Sequence, residues 1–144
     1  MSINVRHTLG LAAIIIGAIA ISLSILVADD NPTNQDVAAR MLKHLGHRVT
    51  LADDGEAALA LLKQRHFDLV FMDTQMPRMS GVEATRTLRE WERTQGMPPV
   101  RVVALTANAL ESDRLDCLAA GMDAFVAKPF VMADLRAIID DELV

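Results

Sequence analysis

Short, uninterrupted runs of apolar residues recur along the chain, and stretches with helical periodicity separate them. Four such runs occupy residues 25–28, 69–72, 102–105 and 124–127, and residues 49–51, in which Thr50 lies between two apolar residues, predict one further short strand. Continuous apolar runs are typical of parallel strands that are covered on both faces. The pattern therefore predicts a doubly wound α/β domain with five strand–helix units and a parallel sheet.

The stretches between these runs carry signals for where helices begin and end. Asn31 and Pro32 predict the start of the first helix, because Asn is a favoured N-cap and Pro is tolerated at the first helical position. Gly46 and Gly121 predict the ends of the first and fourth helices. The predicted spans of the second, third and fourth helices are residues 56–65, 81–91 and 110–120. The predicted apolar positions are Val37, Ala38, Met41, Leu42 and Leu45 in the first helix, Ala58, Leu61 and Leu62 in the second, Val82, Leu88 and Trp91 in the third, and Leu135, Ile138, Ile139 and Leu143 in the last.

Composition and charge exclude some classes of function. The 144 residues are enough for one domain with a single core. A formal net charge of −5 argues against nucleic-acid binding, which needs a basic surface. The single cysteine, Cys117, has no partner for an internal disulfide, and its apolar helical context predicts a buried, unreactive thiol.

The N-terminal segment differs from the rest of the chain. Residues 9–28 carry no charge, and a run of about twenty such residues is long enough to span a bilayer. Residues 24–28 are needed as the first strand, however, which leaves residues 9–23, a short length for a span. Three interpretations stay open: a membrane anchor, an apolar helix packed on a partner, or a remnant of a gene fusion. We expect residues 1–23 to lie outside a domain of residues 24–144 and to be dispensable for its chemistry.

The residues that follow the apolar runs are of specific polar types. Asp29 and Asp30 follow the first run, Asp73 follows the third-strand run, Thr106 follows the next and Lys128 follows the last. Because the carboxyl ends of parallel strands meet at one edge of a sheet, we expect these side chains to lie close together. Each one alone has an ordinary structural explanation, such as a helix cap or a solvated charge. In combination they predict a site for a divalent cation and a phosphoryl group.

These residues resemble the receiver domain of two-component response regulators and hybrid histidine kinases. The resemblance covers roughly residues 24–144. It rests on the residues named above and on their neighbours Asn31, Met76, Pro77, Gly81, Ala107, Pro129 and Phe130. It implies a flavodoxin-like (CheY-like) fold with a five-stranded parallel sheet in the order 2-1-3-4-5.

The resemblance also implies a role for each site residue. Asp73 would be the phosphoacceptor. Asp30, Asp73 and the backbone carbonyl of Gln75 would bind Mg²⁺ directly, with Mn²⁺ as an alternative metal, and Asp29 would act through a water molecule.

Three further residues complete the implied site. Lys128 would pair with Asp73 or with a phosphoryl oxygen, and the Lys128–Pro129 peptide bond would be cis. Thr106 would donate a hydrogen bond to another phosphoryl oxygen. The movement of Thr106 would let the Phe125 ring turn inward, so that these two residues form a conformational switch.

Partners and competing functions follow from the same resemblance. A histidine kinase or a histidine phosphotransfer protein would supply the phosphoryl group and would dock near the first helix. The residues after the acidic pair and after Thr106 look most like those of hybrid kinases, so the chain is expected to be a stand-alone regulator or part of such a kinase. The expected location is the cytoplasm, either free or tethered to the inner face of the cell membrane through residues 9–23.

Two other functions compete with the phosphoacceptor. One is a receiver-like interaction module that works without phosphorylation, and the intact set of site residues argues against it. The other is a phosphatase with an aspartate nucleophile. That class requires a second acid two residues after the nucleophile, where this chain has Gln75.

Overall fold

The computed structural model describes residues 21–107 and 110–143, which form a five-stranded parallel sheet flanked by five helices. The strands are β1 (Ser24–Ala28), β2 (Arg48–Ala52), β3 (Leu69–Asp73), β4 (Arg101–Thr106) and β5 (Ala124–Ala127). The helices are α1 (Pro32–His44), α2 (Gly55–Gln64), α3 (Gly81–Gln95), α4 (Glu111–Ala120) and α5 (Met132–Leu143). The strand order is β2-β1-β3-β4-β5, which confirms the predicted fold and order.

The core lies on both faces of the sheet, because successive side chains of a strand point in opposite directions. On one face Leu26 packs in a cluster with residues of α2, α3 and α4, among them Leu88 and Cys117. On the other face Ile25 packs with residues of α1 and α5, among them Leu42. Cys117 is buried, as predicted. The central strands are therefore covered on both sides, which explains their unbroken apolar runs.

The predicted helix ends are present. The Asn31 side chain accepts hydrogen bonds from the backbone N–H groups of Thr33 and Asn34 and so caps α1. Gly121 ends α4 in the left-handed region, with φ of 103°. A Cβ at Gly121 would also crowd the Arg89 side chain, so both backbone conformation and space favour glycine there.

The predicted ends of the second helix and the start of the fourth differ from the structure by one residue, and two larger differences concern α3 and α1. Helix α3 continues to Gln95, four residues beyond the predicted end at Trp91, because its last turns bury a polar side chain rather than an apolar one. Glu92 is buried there and accepts hydrogen bonds from Arg89 and from the Val100 N–H. On α1, Val37 was expected on the apolar face, yet it is 37 % exposed.

The chain enters the sheet through Leu23, one residue before β1. Its side chain is buried in the core, its N–H donates to His47 Nδ1 at 3.0 Å, and its carbonyl accepts from the Arg48 N–H at 2.9 Å. Of the predicted apolar segment, residues 9–20 lie outside the described residues. Over residues 21–107 and 110–143, no helix is both long enough and apolar enough to cross a bilayer.

Candidate functional site

The carboxyl ends of the parallel strands bring four of the predicted residues to one edge of the sheet. Asp29 directly follows β1, Asp73 ends β3, Thr106 ends β4, and Lys128 directly follows β5. Lys128 Nζ lies 3.0 Å from Asp29 Oδ2 and 2.9 Å from Asp73 Oδ2. Lys128, at the end of the edge strand β5, thus bridges the carboxylates at the ends of β1 and β3. These are the two strands between which the strand order reverses along the sheet.

Asp30 completes an acidic cluster beside that bridge. One carboxylate oxygen from each of Asp29, Asp30 and Asp73 lies within 4.8 Å of the others. Asp29 and Asp73 are buried, whereas Asp30 is exposed to solvent. The cluster therefore combines two desolvated carboxylates with one that solvent can reach.

A network of hydrogen bonds fixes Asp29 in this position. Its Oδ1 accepts from the Asn31 N–H at 2.9 Å, and its carbonyl oxygen accepts from Gln35 Nε2 at 2.6 Å. Gln35 also donates to Asp53 Oδ1 at 2.8 Å, which ties the end of β1 to the end of β2. Neither Gln35 nor Asp53 was among the predicted site residues. The one signal for Gln35 is its place on the buried side of α1, where a polar residue needs a partner.

The donor set fits a divalent metal ion. Asp29 Oδ2 is buried and accepts no hydrogen bond of acceptable geometry, although the Lys128 ammonium lies 3.0 Å from it. One ammonium does not neutralise three clustered carboxylates, so a further cation would reduce their mutual repulsion. Oxygen ligands are also what Mg²⁺ prefers.

Burial shifts the pKa values of the two groups at the centre of the site. Burial raises the pKa of the Asp73 carboxyl, against the opposing effects of Lys128 and of the Gln75 N–H. Burial acts to lower the pKa of Lys128, but its contacts with Asp73 and Asp29 outweigh burial, and the pKa rises. Lys128 is therefore a fixed positive charge, while Asp73 carries its negative charge at a cost.

The loop between β3 and α3 lies directly against Asp73. The Gln75 N–H donates to Asp73 Oδ1 at 3.2 Å, and the Gly81 N–H donates to the Thr74 carbonyl at 3.2 Å. A Cβ at Gly81 would overlap the Asp73 carbonyl oxygen, so only glycine lets α3 begin so close to the end of β3.

The residues of the expected switch lie on β4 and β5. Thr106 is buried, and its carbonyl accepts a hydrogen bond from the Lys128 N–H at 2.8 Å. Phe125 is half-buried on the face of the sheet that α2, α3 and α4 cover. The Arg114 guanidinium of α4 lies 4.9 Å from its ring centre. The Lys128–Pro129 peptide bond is cis.

Comparison with known proteins identifies the family of this arrangement. The family model described as "Response regulator receiver domain" matches residues 25–140, which is most of the chain. The chain belongs to the response regulator receiver domain family.

Relatives of this receiver domain include histidine kinases. Hybrid signal transduction histidine kinase K of Dictyostelium discoideum is 36 % identical over 122 residues, which are 82 % of this chain and 10 % of that kinase. The chain thus spans about a tenth of the length of that curated relative.

Two solved structures are similar over most of the receiver. One is the receiver domain of the sensor histidine kinase PA1611 from Pseudomonas aeruginosa, with a magnesium ion coordinated in its active-site cleft. It is 41 % identical, with a TM-score of 0.77 over 85 % of this chain and 98 % of that one. The other is the receiver domain of Ssk1 from Saccharomyces cerevisiae in complex with the phosphotransfer protein Ypd1. It is 30 % identical, with a TM-score of 0.79 over 82 % of this chain and 86 % of that one.

Proposed function

We propose that this receiver is the phosphoacceptor of a two-component phosphorelay and that Asp73 takes the phosphoryl group. The observation that carries the proposal is the contact of Lys128 Nζ with both Asp73 and Asp29, beside the exposed Asp30. That arrangement pairs a nucleophilic carboxylate with a cation that can face an incoming phosphoryl oxygen.

The reaction transfers a phosphoryl group from a phosphohistidine of the partner. An oxygen of Asp73 attacks phosphorus, a P–O bond forms as the P–N bond breaks, and the histidine nitrogen leaves with the electron pair. Transfer of this kind depends on positioning and on neutralisation of charge rather than on further covalent steps. Lys128 supplies positive charge at the nucleophile, and the Gln75 N–H orients Asp73 Oδ1. Attack by water on the acyl phosphate later restores the carboxylate and releases inorganic phosphate.

Asp30, Asp73 and the Gln75 carbonyl would hold Mg²⁺, with Asp29 acting through water and with Mn²⁺ as an alternative metal. When bound, the ion neutralises charge on the carboxylates and on the phosphoryl oxygens. The three clustered carboxylates, which share the one ammonium of Lys128 within the cluster, support this assignment.

The partner is a histidine kinase or a histidine phosphotransfer protein that docks near α1. Ssk1 is crystallised with such a protein, and the similar D. discoideum protein is itself a hybrid histidine kinase. We place the domain in the cytoplasm, where these donors operate. Deletion of the N-terminal residues tests whether residues 9–23 tether it to the cell membrane. After transfer, Thr106 donates to a phosphoryl oxygen and Phe125 turns inward.

Phosphorylation by a small-molecule donor tests the proposal directly. Acetyl phosphate with Mg²⁺ is expected to add one phosphoryl group that is labile in base, detected by intact-protein mass spectrometry. Asp73→Asn is expected to abolish the adduct, because an amide is a far weaker nucleophile. Asp68→Asn is the matched control, since that carboxylate binds the Ser24 N–H on the opposite edge of the sheet. An adduct of equal yield on Asp73→Asn would overturn the assignment.

A further inference from the structure

The loop that follows Asp73 is held at both of its ends by backbone contacts. At its start the Thr74 N–H donates to the Leu105 carbonyl at 3.1 Å, and at its end the Gly81 N–H donates to the Thr74 carbonyl at 3.2 Å. Gln75, whose N–H reaches Asp73, lies near its start. These contacts leave open what fixes the middle of the loop.

An ion pair fixes that middle. Arg78 Nε donates to Asp54 Oδ2 at 3.0 Å, and Arg78 Nη2 contacts the same oxygen. The Asp54 side chain is only 7 % exposed, whereas that of Arg78 is 65 % exposed. The buried carboxylate of the pair is therefore the anchor, and the arginine reaches back to it from the loop surface.

The two oxygens of Asp54 have separate tasks. Oδ1 accepts from the Ala57 N–H at 2.8 Å and caps α2, while Oδ2 is left for Arg78. The Ala57 hydrogen bond and then the Arg78 contact hold the pKa of Asp54 below its usual value. One carboxylate thus joins the start of α2 to the loop that follows β3.

The backbone segments beside the pair are closely packed. The Gly55 N–H donates to the Met79 carbonyl at 3.2 Å, and a Cβ at Gly55 would overlap that carbonyl oxygen. Arg78 itself has φ of 65°, and among the described residues it is the one non-glycine residue with positive φ. This conformation is unfavourable for arginine, so the contacts around it must hold it in place.

We propose that Arg78 and Asp54 act as a pair of positioning residues that preset the loop presenting Gln75 to the metal and to Asp73. This inference rests on the proposed function, because it assigns the pair a role in Mg²⁺ binding. Neither residue belongs to the acidic cluster. Their effect would pass through the loop backbone, which either holds the Gln75 carbonyl in one place or lets it move.

Two substitutions separate this role from those of the neighbouring groups. Asp54→Asn keeps an oxygen for the Ala57 N–H but removes the charge that binds Arg78. Arg78→Asn removes the guanidinium while tolerating a positive φ better than most residues do. The double variant closes a double-mutant cycle. Arg40→Ala is the control, because it removes an arginine from another ion pair, with Asp36 on α1.

The affinity for Mg²⁺ is measured by calorimetric titration of the full chain without a phosphodonor. Each single variant is expected to lose about tenfold in affinity, the lower end of the range found for residues that orient metal ligands. The double variant is expected to lose no more than either single variant, and Arg40→Ala is expected to bind as wild type does. Wild-type affinity in both single variants, or losses that add in the double variant, would overturn the pairing.

The backbone amide signal of Gln75 in NMR spectra of the metal-free protein provides the second measurement. We expect it to broaden or split in both single variants while signals from the sheet keep their positions, a pattern that general destabilisation would not produce. An unchanged Gln75 signal in both variants would overturn the positioning role. A wild-type chain that fails to bind Mg²⁺ would contradict the proposed function instead, and the Gln75 signals would still decide whether the pair orders the loop.

Discussion

At the scale of single residues, the site is defined by a mismatch of charge. Three carboxylates, those of Asp29, Asp30 and Asp73, share the single ammonium of Lys128 within the cluster. Two of the three are buried, so water screens their repulsion poorly. Burial also raises the pKa of Asp73, because the buried carboxyl group favours its neutral, protonated form. A cation that enters the cluster lowers that cost, as Mg²⁺ would in the proposed function.

His47, unlike the charged groups of the site, is a titratable group that its surroundings keep neutral. It is buried, and its Nδ1 accepts the Leu23 N–H at 3.0 Å, which a protonated ring nitrogen cannot do. Burial lowers its pKa from the ordinary value of 6.5. The unfolded chain therefore binds a proton at a pH at which the folded chain does not.

This difference predicts a pH dependence of stability. Because the folded pKa is the lower one, the contribution of His47 is complete above about pH 6.5 and is lost as the pH falls through the folded value. We expect the free energy of unfolding, from urea titrations at pH 7.5 and pH 5.5, to fall more in wild type than in His47→Asn. The Asn side chain can accept the Leu23 N–H at either pH. Equal decreases in the two proteins would show that His47 does not contribute to the pH dependence.

At the scale of elements, local signals predicted most boundaries, and polar side-chain contacts account for the errors. Asn31 and Gly121 are caps whose effect lies within a few residues, so their sequence neighbourhood was sufficient. The last turns of α3 depend on the Arg89–Glu92 pair and on Val100, and apolar periodicity carries no information about such contacts. The contact between Arg78 and Asp54 was missed for the same reason, since 24 residues separate the two.

The coupling of β4 to β5 predicts a specific defect in Thr106→Ala. Loss of the hydroxyl leaves Asp73 and Lys128 in place, so the variant is expected to bind beryllium fluoride, a phosphoryl mimic, with Mg²⁺. It is not expected to move Phe125, which is half-buried and contacts Arg114 of α4. Fluorine NMR of protein labelled with fluorophenylalanine follows this ring, and Phe125→Leu assigns its signal. Only wild type should shift the Phe125 signal on binding, and a full shift in Thr106→Ala would contradict the switch.

At the scale of the whole molecule, the parallel direction of the strands made the site predictable before any distance was known. A parallel sheet places the ends of β1, β3, β4 and β5 at one edge, so residue types at strand ends were enough to group Asp29, Asp73, Thr106 and Lys128. The distances among them, the support from Gln35 and the unequal exposure of Asp29 and Asp30 depend on packing, which one sequence does not specify.

The N-terminal boundary of the domain is a property of the whole molecule that truncation can test. Every residue of the site follows Ala28, which supports the prediction that the N-terminal segment is dispensable for phosphoryl chemistry. Leu23 lies on the N-terminal side of the predicted boundary, yet its side chain is buried and its backbone makes two hydrogen bonds, to His47 and Arg48. Two truncated chains, one that keeps residues 21–23 and one that lacks them, therefore test the boundary.

We expect a chain that begins at Ile21 to accept phosphate at Asp73 at the rate of the full-length chain. A chain that begins at Ser24 should have a free energy of unfolding lower by about 2–4 kcal/mol, because it loses the buried Leu23 side chain and two backbone hydrogen bonds. Urea unfolding measures the stability, and mass spectrometry after incubation with acetyl phosphate and Mg²⁺ measures the rate. Sedimentation with lipid vesicles, for the full chain and for the chain from Ile21, tests whether the removed residues bind membranes. A loss of folding or of phosphorylation in the longer of the two truncated chains would show that residues before Ile21 belong to the domain.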